Sequence, residues 1–92
     1  MGVLWDMTKD ESNVRAHGLS LAEGISLLGD PLGRSRPDPD HSVGEARFIR
    51  LGRTTGGLLA TVAYSDHGDQ VRIISVRRAT RHERRAYERD VD

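Results

Sequence analysis

A small α+β domain, with helices packed on an antiparallel sheet, is the fold class this sequence predicts. Three observations carry that expectation. The helix-start pattern S/T-x-x-E occurs three times, at Thr8 and Glu11, Ser20 and Glu23, and Thr80 and Glu83, a spacing at which a hydroxyl and a glutamate cap a first helical turn reciprocally. Three apolar stretches of strand-like composition, 46–52, 58–65 and 70–77, lie between the second and third of these patterns. Two short glycine-bearing segments, 53–57 and 66–69, join the stretches, so the simplest connection is an antiparallel meander.

In chain order, residues 3–5 predict a short first strand. A helix over 9–17 should stop at Gly18, because glycine accepts the left-handed conformation that ends helices. A second helix over 21–28 sets Leu21, Ile25 and Leu28 on one stripe and should stop at Gly29, before Asp30 and Pro31. These two form a helical hairpin. The segment 33–43 holds Pro37, Asp38, Pro39, Asp40, His41 and Ser42; it favours turns over a regular ladder and is expected to be a loop. The last strand is apolar on both faces from Val71 to Val76 except at Arg72 and Ser75, which predicts cover on both sides. A final helix begins at Arg81.

The chain of 92 residues fits a single domain, 1–92, with one core. It has no cysteine, so neither disulfides nor thiolate metal sites staple the fold, and packing or a bound partner must stabilise it. No segment approaches the roughly 20 apolar residues that span a bilayer. The expected setting is the cytoplasm, with no membrane partner.

A net charge of zero conceals an asymmetry. Residues 1–46 carry eight acidic side chains against four basic ones. Residues 71–89 carry seven arginines against Glu83 and Glu88. At 100° per residue, Arg81, Arg84, Arg85, Glu88 and Arg89 share one side of the final helix, while Ala79, Glu83, Ala86 and Tyr87 lie opposite, and the side holding Ala86 and Tyr87 should face the sheet. Arg81 and Arg84 sit near the positive end of the helix dipole, where a cation is unfavourable. A solvated helix face held by pairs such as Arg84 with Glu88 is the plain alternative. Arg77 and Arg78, at the adjoining strand end, favour a surface that meets a polyanion, because the planar arginine fork matches two phosphate oxygens at once.

Several strings then occur in order: Trp5-Asp6; Asn13 with His17-Gly18; Asp30-Pro31; Asp38-Pro39-Asp40-His41-Ser42 with Gly44-Glu45 and Arg47; and the run from Arg72 to Thr80, with Glu83-Arg84-Arg85 and Tyr87. Together they resemble the BrnT family, the ribonuclease toxins of type II BrnT/BrnA toxin-antitoxin pairs. The resemblance implies a compact fold similar to the RelE-like ribonucleases and cleavage of RNA that arrests growth. It also implies neutralisation by a BrnA-like antitoxin, a ribbon-helix-helix-like DNA binder. The pair would form a hetero-oligomer that touches operator DNA only through the antitoxin. Two positions depart from the family's usual pattern: Ala16 stands where a lysine commonly precedes His-Gly, and Leu21 replaces a common aromatic.

RNA carries its own nucleophile, so a ribonuclease without metal or other cofactor must deprotonate a 2′-hydroxyl, stabilise charge on phosphorus and protonate the leaving oxygen. Strand alternation sends Arg77 and Arg78 to opposite faces and gives Arg72 the parity of Arg78. Arg77 and Arg47 are the candidates for charge stabilisation, with Arg72, Arg78, Arg81 and Arg85 for holding RNA. His41 and Glu45 lead the candidates for proton transfer; His17, which can instead cap its helix, and Tyr87 stand behind them. Trp5 is read as a core anchor, and His67 and Asp69 as turn residues. Two other readings stay open: an attenuated, non-catalytic toxin acting as corepressor, suggested by Ala16, and a metal nuclease built on Asp38, Asp40 and His41.

Overall fold

A computed structural model describes residues 2–91. Its elements are β1 (Gly2–Leu4), α1 (Met7–His17), α2 (Glu23–Leu28), β2 (Arg34–Pro37), a single 3-10 turn (Pro39–His41), β3 (Arg47–Arg53), β4 (Leu59–Asp66), β5 (Gln70–Arg78) and α3 (Arg81–Val91). The five strands form one sheet in the order β1-β5-β4-β3-β2. Strands β2 to β5 make an antiparallel meander, and β1 adds to β5 in parallel. The α+β class and the meander therefore stand as the sequence implied, with one strand more than expected.

That extra strand is β2, inside the segment expected to be a loop. Its prolines begin only at Pro37; Arg34, Ser35 and Arg36 keep their amide donors and pair with Leu51, Arg50 and Ile49. Pro37 is tolerated because it closes a strand at the edge of the sheet. The loop expectation for 33–43 holds at 38–43, which includes the 3-10 turn, and fails for 34–37.

Helix starts also differ from the pattern. Asp6 caps α1, its Oδ1 accepting from the amides of Thr8 (2.7 Å) and Lys9 (3.3 Å), so α1 begins at Met7 and the Thr8/Glu11 box is not its cap. Ser20 does not cap α2 either. Its hydroxyl donates to Asp10 (2.9 Å), and the same Asp10 oxygen accepts the Leu21 amide (2.7 Å), tying the α1–α2 connection back onto α1. The third box forms in full: Thr80 N–H donates to Glu83 (2.8 Å), and Glu83 N–H to the Thr80 hydroxyl (3.1 Å). Gly18 ends α1 at φ 72°, the left-handed region expected of it.

Two apolar clusters flank the sheet. On one face Leu19, Leu21 and Leu27 pack on Ala60, Val62, Ile73 and Val76, with Trp5 partly buried against them. Helix α2 comes closest at Gly24, where a Cβ would stand 2.9 Å from Ile73. On the other face Tyr87 and Ala79 pack on Leu59 and Leu51. Tyr87 also donates its hydroxyl to Asp30 (2.9 Å), and Arg53 lies over its ring at 5.4 Å. The helical-angle reading of α3 is thus realised, with Tyr87 inward and the arginines outward. Among the described residues no helix is long and apolar enough to cross a membrane.

Candidate functional site

Helix α2 and the residues that lead into it cover one face of the sheet, with α1 bonded to β5 through Asn13, whereas α3 covers only the part of the other face around Leu51 and Leu59. The rest of that second face is open, and what stands on it is decided by strand register. Arg47 pairs with Ser65, and Ser65 with Arg72. Leu51 pairs with Thr61, and Thr61 with Arg77. Residues directly opposite one another point to the same side, and Ser65 and Thr61 lie an even number of residues apart on β4. Arg47, Arg72 and Arg77 therefore share the open face.

This corrects the parity expected from the sequence, which placed Arg72 with Arg78. In β5 Ile73 pairs with Tyr64 and Ser75 with Ala63, so Ile74 is an extra residue, a β-bulge. The bulge breaks strict alternation and turns Arg72 to the side of Arg77. Arg78, opposite Ala60, remains on the other face. Register also adds two residues that the sequence reading missed: Arg34 and Arg36, opposite Leu51 and Ile49, stand on the open face. The only sequence signal for them was the alternation Arg34-Ser35-Arg36, hidden by the prolines that follow.

A hollow of about 310 Å³ opens on this face, walled by Asp38, His41, Arg47 and Arg77 over a floor that includes Ile49 and Thr61. The 3-10 turn carries His41, whose Nδ1 lies 2.9 Å from Asp38 Oδ2. Arg77 meets Glu83 through two parallel bonds of 2.8 and 3.0 Å. That fork, helped by the Thr80 amide and opposed by burial, holds the Glu83 carboxyl at about 2, well below its ordinary 4.5, and raises Arg77. Because the folded value is depressed, this contribution to stability is complete above about 4.5 and fades as pH falls towards about 2. The stability advantage of the native chain over Glu83→Gln is expected to be constant near neutrality and to shrink across that acid window in thermal melts. An advantage unchanged down to the bottom of the window would rule out this origin.

Glu45 stands beside the hollow. It accepts from Arg47 Nε (3.3 Å), and His67 Nε2 lies 3.1 Å from its other oxygen. Partial burial would raise the Glu45 carboxyl, but the Arg47 bond and the charges of Arg72 and His67 hold it below its ordinary value. The same His67 nitrogen is 3.1 Å from the hydroxyl of the fully buried Ser65. His67, read from the sequence as a turn residue, is thus part of the cluster; only the pairing of Arg47 with Ser65 could have shown it.

The other candidates lie elsewhere. Tyr87 is buried and bonded to Asp30, so it is not brought to the hollow. His17 and Ala16 line a separate shallow depression with Lys9, meeting the first at Ile74. Arg81 and Arg85 are exposed on the outer side of α3. Among the described residues no group of three or more histidine, aspartate or glutamate side chains is arranged to hold a metal ion, and Asp40 does not join Asp38 and His41 in the hollow.

Comparison with known proteins gives three findings. The family model described as the ribonuclease toxin, BrnT, of type II toxin-antitoxin systems matches residues 5–83. The crystal structure of the Brucella abortus ribonuclease toxin, BrnT, superposes with a TM-score of 0.68, covering 88% of this chain and 99% of that one at 24% sequence identity. No curated protein sequence matches the chain.

Proposed function

The chain belongs to the BrnT family of ribonuclease toxins of type II toxin-antitoxin systems, and on that premise we propose that its open sheet face binds RNA and cuts it without a metal ion. The observation that carries this reading is the convergence of Arg47, Arg77 and His41, from two strands and a 3-10 turn, on one hollow. An Nδ1–H donated to Asp38 leaves the Nε2 lone pair of His41 available to take the proton of a 2′-hydroxyl. The 2′-oxygen bonds to phosphorus, and Arg47 and Arg77 stabilise the charge that gathers on the phosphoryl oxygens. Their carboxylate partners, Glu45 and Glu83, fix the two guanidinium planes in advance. As the bond to the 5′-oxygen breaks, that oxygen takes a proton from the imidazolium of His67, held beside Glu45. The products are a 2′,3′-cyclic phosphate and a 5′-hydroxyl.

Purified protein incubated with single-stranded RNA in excess chelator is expected to yield these ends at the rate seen without chelator. Cleavage that stops under chelation and returns with magnesium would overturn the metal-free route.

Membership of a type II system implies an antitoxin partner. We assign it as a BrnA-like, ribbon-helix-helix protein that forms a hetero-oligomer with the toxin, masks the arginine-bearing surface and relieves growth arrest, with operator DNA contacted by the antitoxin alone. A non-catalytic corepressor was suggested by Ala16. Ala16 lies in the depression beside Lys9, which meets the hollow at Ile74, and purified protein that binds its antitoxin but leaves RNA uncut would favour that second reading.

A further inference from the structure

A second hollow, larger than the first at about 620 Å³, runs between β2 and the first turns of α3. Its floor is Ile49, Leu51 and Thr61, one wall carries Arg34 and Arg36, and the other is built from Glu83 and Ala86 of α3. It shares Ile49 and Thr61 with the hollow that holds His41, Arg47 and Arg77. The two therefore adjoin across Ile49 and Thr61.

Register fixes their dimensions. Arg34, Leu51, Thr61 and Arg77 lie in a single cross-strand row. Arg34 and Arg77 are thus three strand spacings apart, about 14 Å between backbones. Arg36 follows Arg34 on the same face two residues on, about 6.6 Å along the strand, a step close to that between successive phosphates of an extended polynucleotide. Charge points the same way. Six arginines of the sheet stand on this face, Arg53 over the Tyr87 ring and Arg34, Arg36, Arg47, Arg72 and Arg77 along the rest of it, and among the described residues the carboxylates beside the two hollows are Asp38, Glu45 and Glu83. Each of those carboxylates is already engaged by a histidine or an arginine.

We infer that this second compartment is a subsite for the nucleotides of a single-stranded RNA that flank the cleaved bond, with phosphates held by Arg34 and Arg36 and an unstacked base laid on Ile49 and Leu51. The inference rests on the ribonuclease reading above and extends it from the cleaved phosphate to the strand beside it. Single strands expose unstacked bases where duplexes do not, and Ile49 and Leu51 offer them an apolar surface beside the guanidinium groups of Arg34 and Arg36. Adjacency to the hollow of Arg77 favours a strand of substrate over a protein segment, since one polyanion can then reach both compartments.

The test uses the intact protein and a single-stranded RNA about ten nucleotides long made uncleavable by 2′-O-methylation, with binding read by fluorescence anisotropy across a salt series. Each phosphate contact on a single strand contributes about 0.7 to the slope of log affinity against log salt. Arg36→Ala should lower that slope by about 0.7, and the double variant Arg34→Ala/Arg36→Ala by about 1.4, with affinity down at least about tenfold. Arg36→Glu should weaken binding further than Arg36→Ala. A duplex of the same length should bind less tightly than the single strand. Unchanged slope and affinity in variants whose circular dichroism and melting match the native chain would overturn the subsite, as would equal affinity for duplex. If the variants instead keep RNA binding and lose the antitoxin, the compartment is a protein-docking surface and the inference is wrong. A native chain that binds the uncleavable RNA through this slope but leaves unmodified RNA intact would overturn the ribonuclease reading and leave the subsite standing.

Discussion

Alanine at Arg77 is expected to lower the rate of RNA cleavage by about two to three orders of magnitude, with a similar loss at Arg47, because removing one preorganised donor aimed at a developing anion carries a penalty of that size. The melting temperature should stay near native for Arg47→Ala, whereas Arg77→Ala also removes the partner of Glu83 and should lower it. Arg77→Lys separates charge from geometry. Lysine keeps the cation but not the fork that meets both oxygens of Glu83, so it should restore only part of the rate. Single-turnover assays on one defined RNA, with circular dichroism as a check on folding, decide the point. Native-like rates in both alanine variants would remove these arginines from the reaction.

The largest effect on stability is expected at Asn13, a buried polar side chain in α1. Its amide nitrogen donates to the carbonyls of Leu19 (2.7 Å) and Val76 (2.8 Å), and its oxygen accepts the Val76 amide (3.1 Å). One side chain thus fastens α1 both to the turn that follows it and to β5. Truncation to alanine strands three backbone groups away from water, at a cost of about 3 kcal/mol. For a domain of this size that corresponds to a fall in melting temperature of more than about 10 °C. Asn13→Asp keeps the acceptor for Val76 while losing both donations and should be no milder. A loss below about 1 kcal/mol in denaturant titration would mean that water reaches these groups.

What could be read from the sequence depended on whether the signal was local. Strands β3, β4 and β5 were bounded by glycine-bearing turns, and α1 by Gly18, so their places were legible. The α3 cap was legible because Thr80 and Glu83 lie within one turn of each other. Strand β2 was not, because a four-residue edge strand has too little length for a period and its neighbours are prolines. The caps of α1 and α2 went to Asp6 and to a cross-link through Asp10, competitors within a few residues of the hydroxyls in the pattern. At the proposed site, the residue types of His41, Arg47 and Arg77 were legible, but not that all three line one hollow. Arg72 was assigned to the wrong face and Arg34, Arg36 and His67 were missed, since all four depend on which residue of one strand lies opposite which residue of another.

The extra residue in β5 leaves the strand able to lose a residue at this one place. Upstream of Ile74, Val71 and Ile73 are buried and Arg72 is exposed; downstream, Val76 is buried. Ile73 lies opposite Tyr64 and Ser75 opposite Ala63, so deleting Ile74 would join two halves that are already in phase. Val71, Ile73 and Val76 would stay inward, and Arg72 and Arg77 would stay together on the open face. What the deletion removes is the local bend and added twist that a bulge gives its strand, so its cost falls on the shape of the open face and not on the core or on the arginine array.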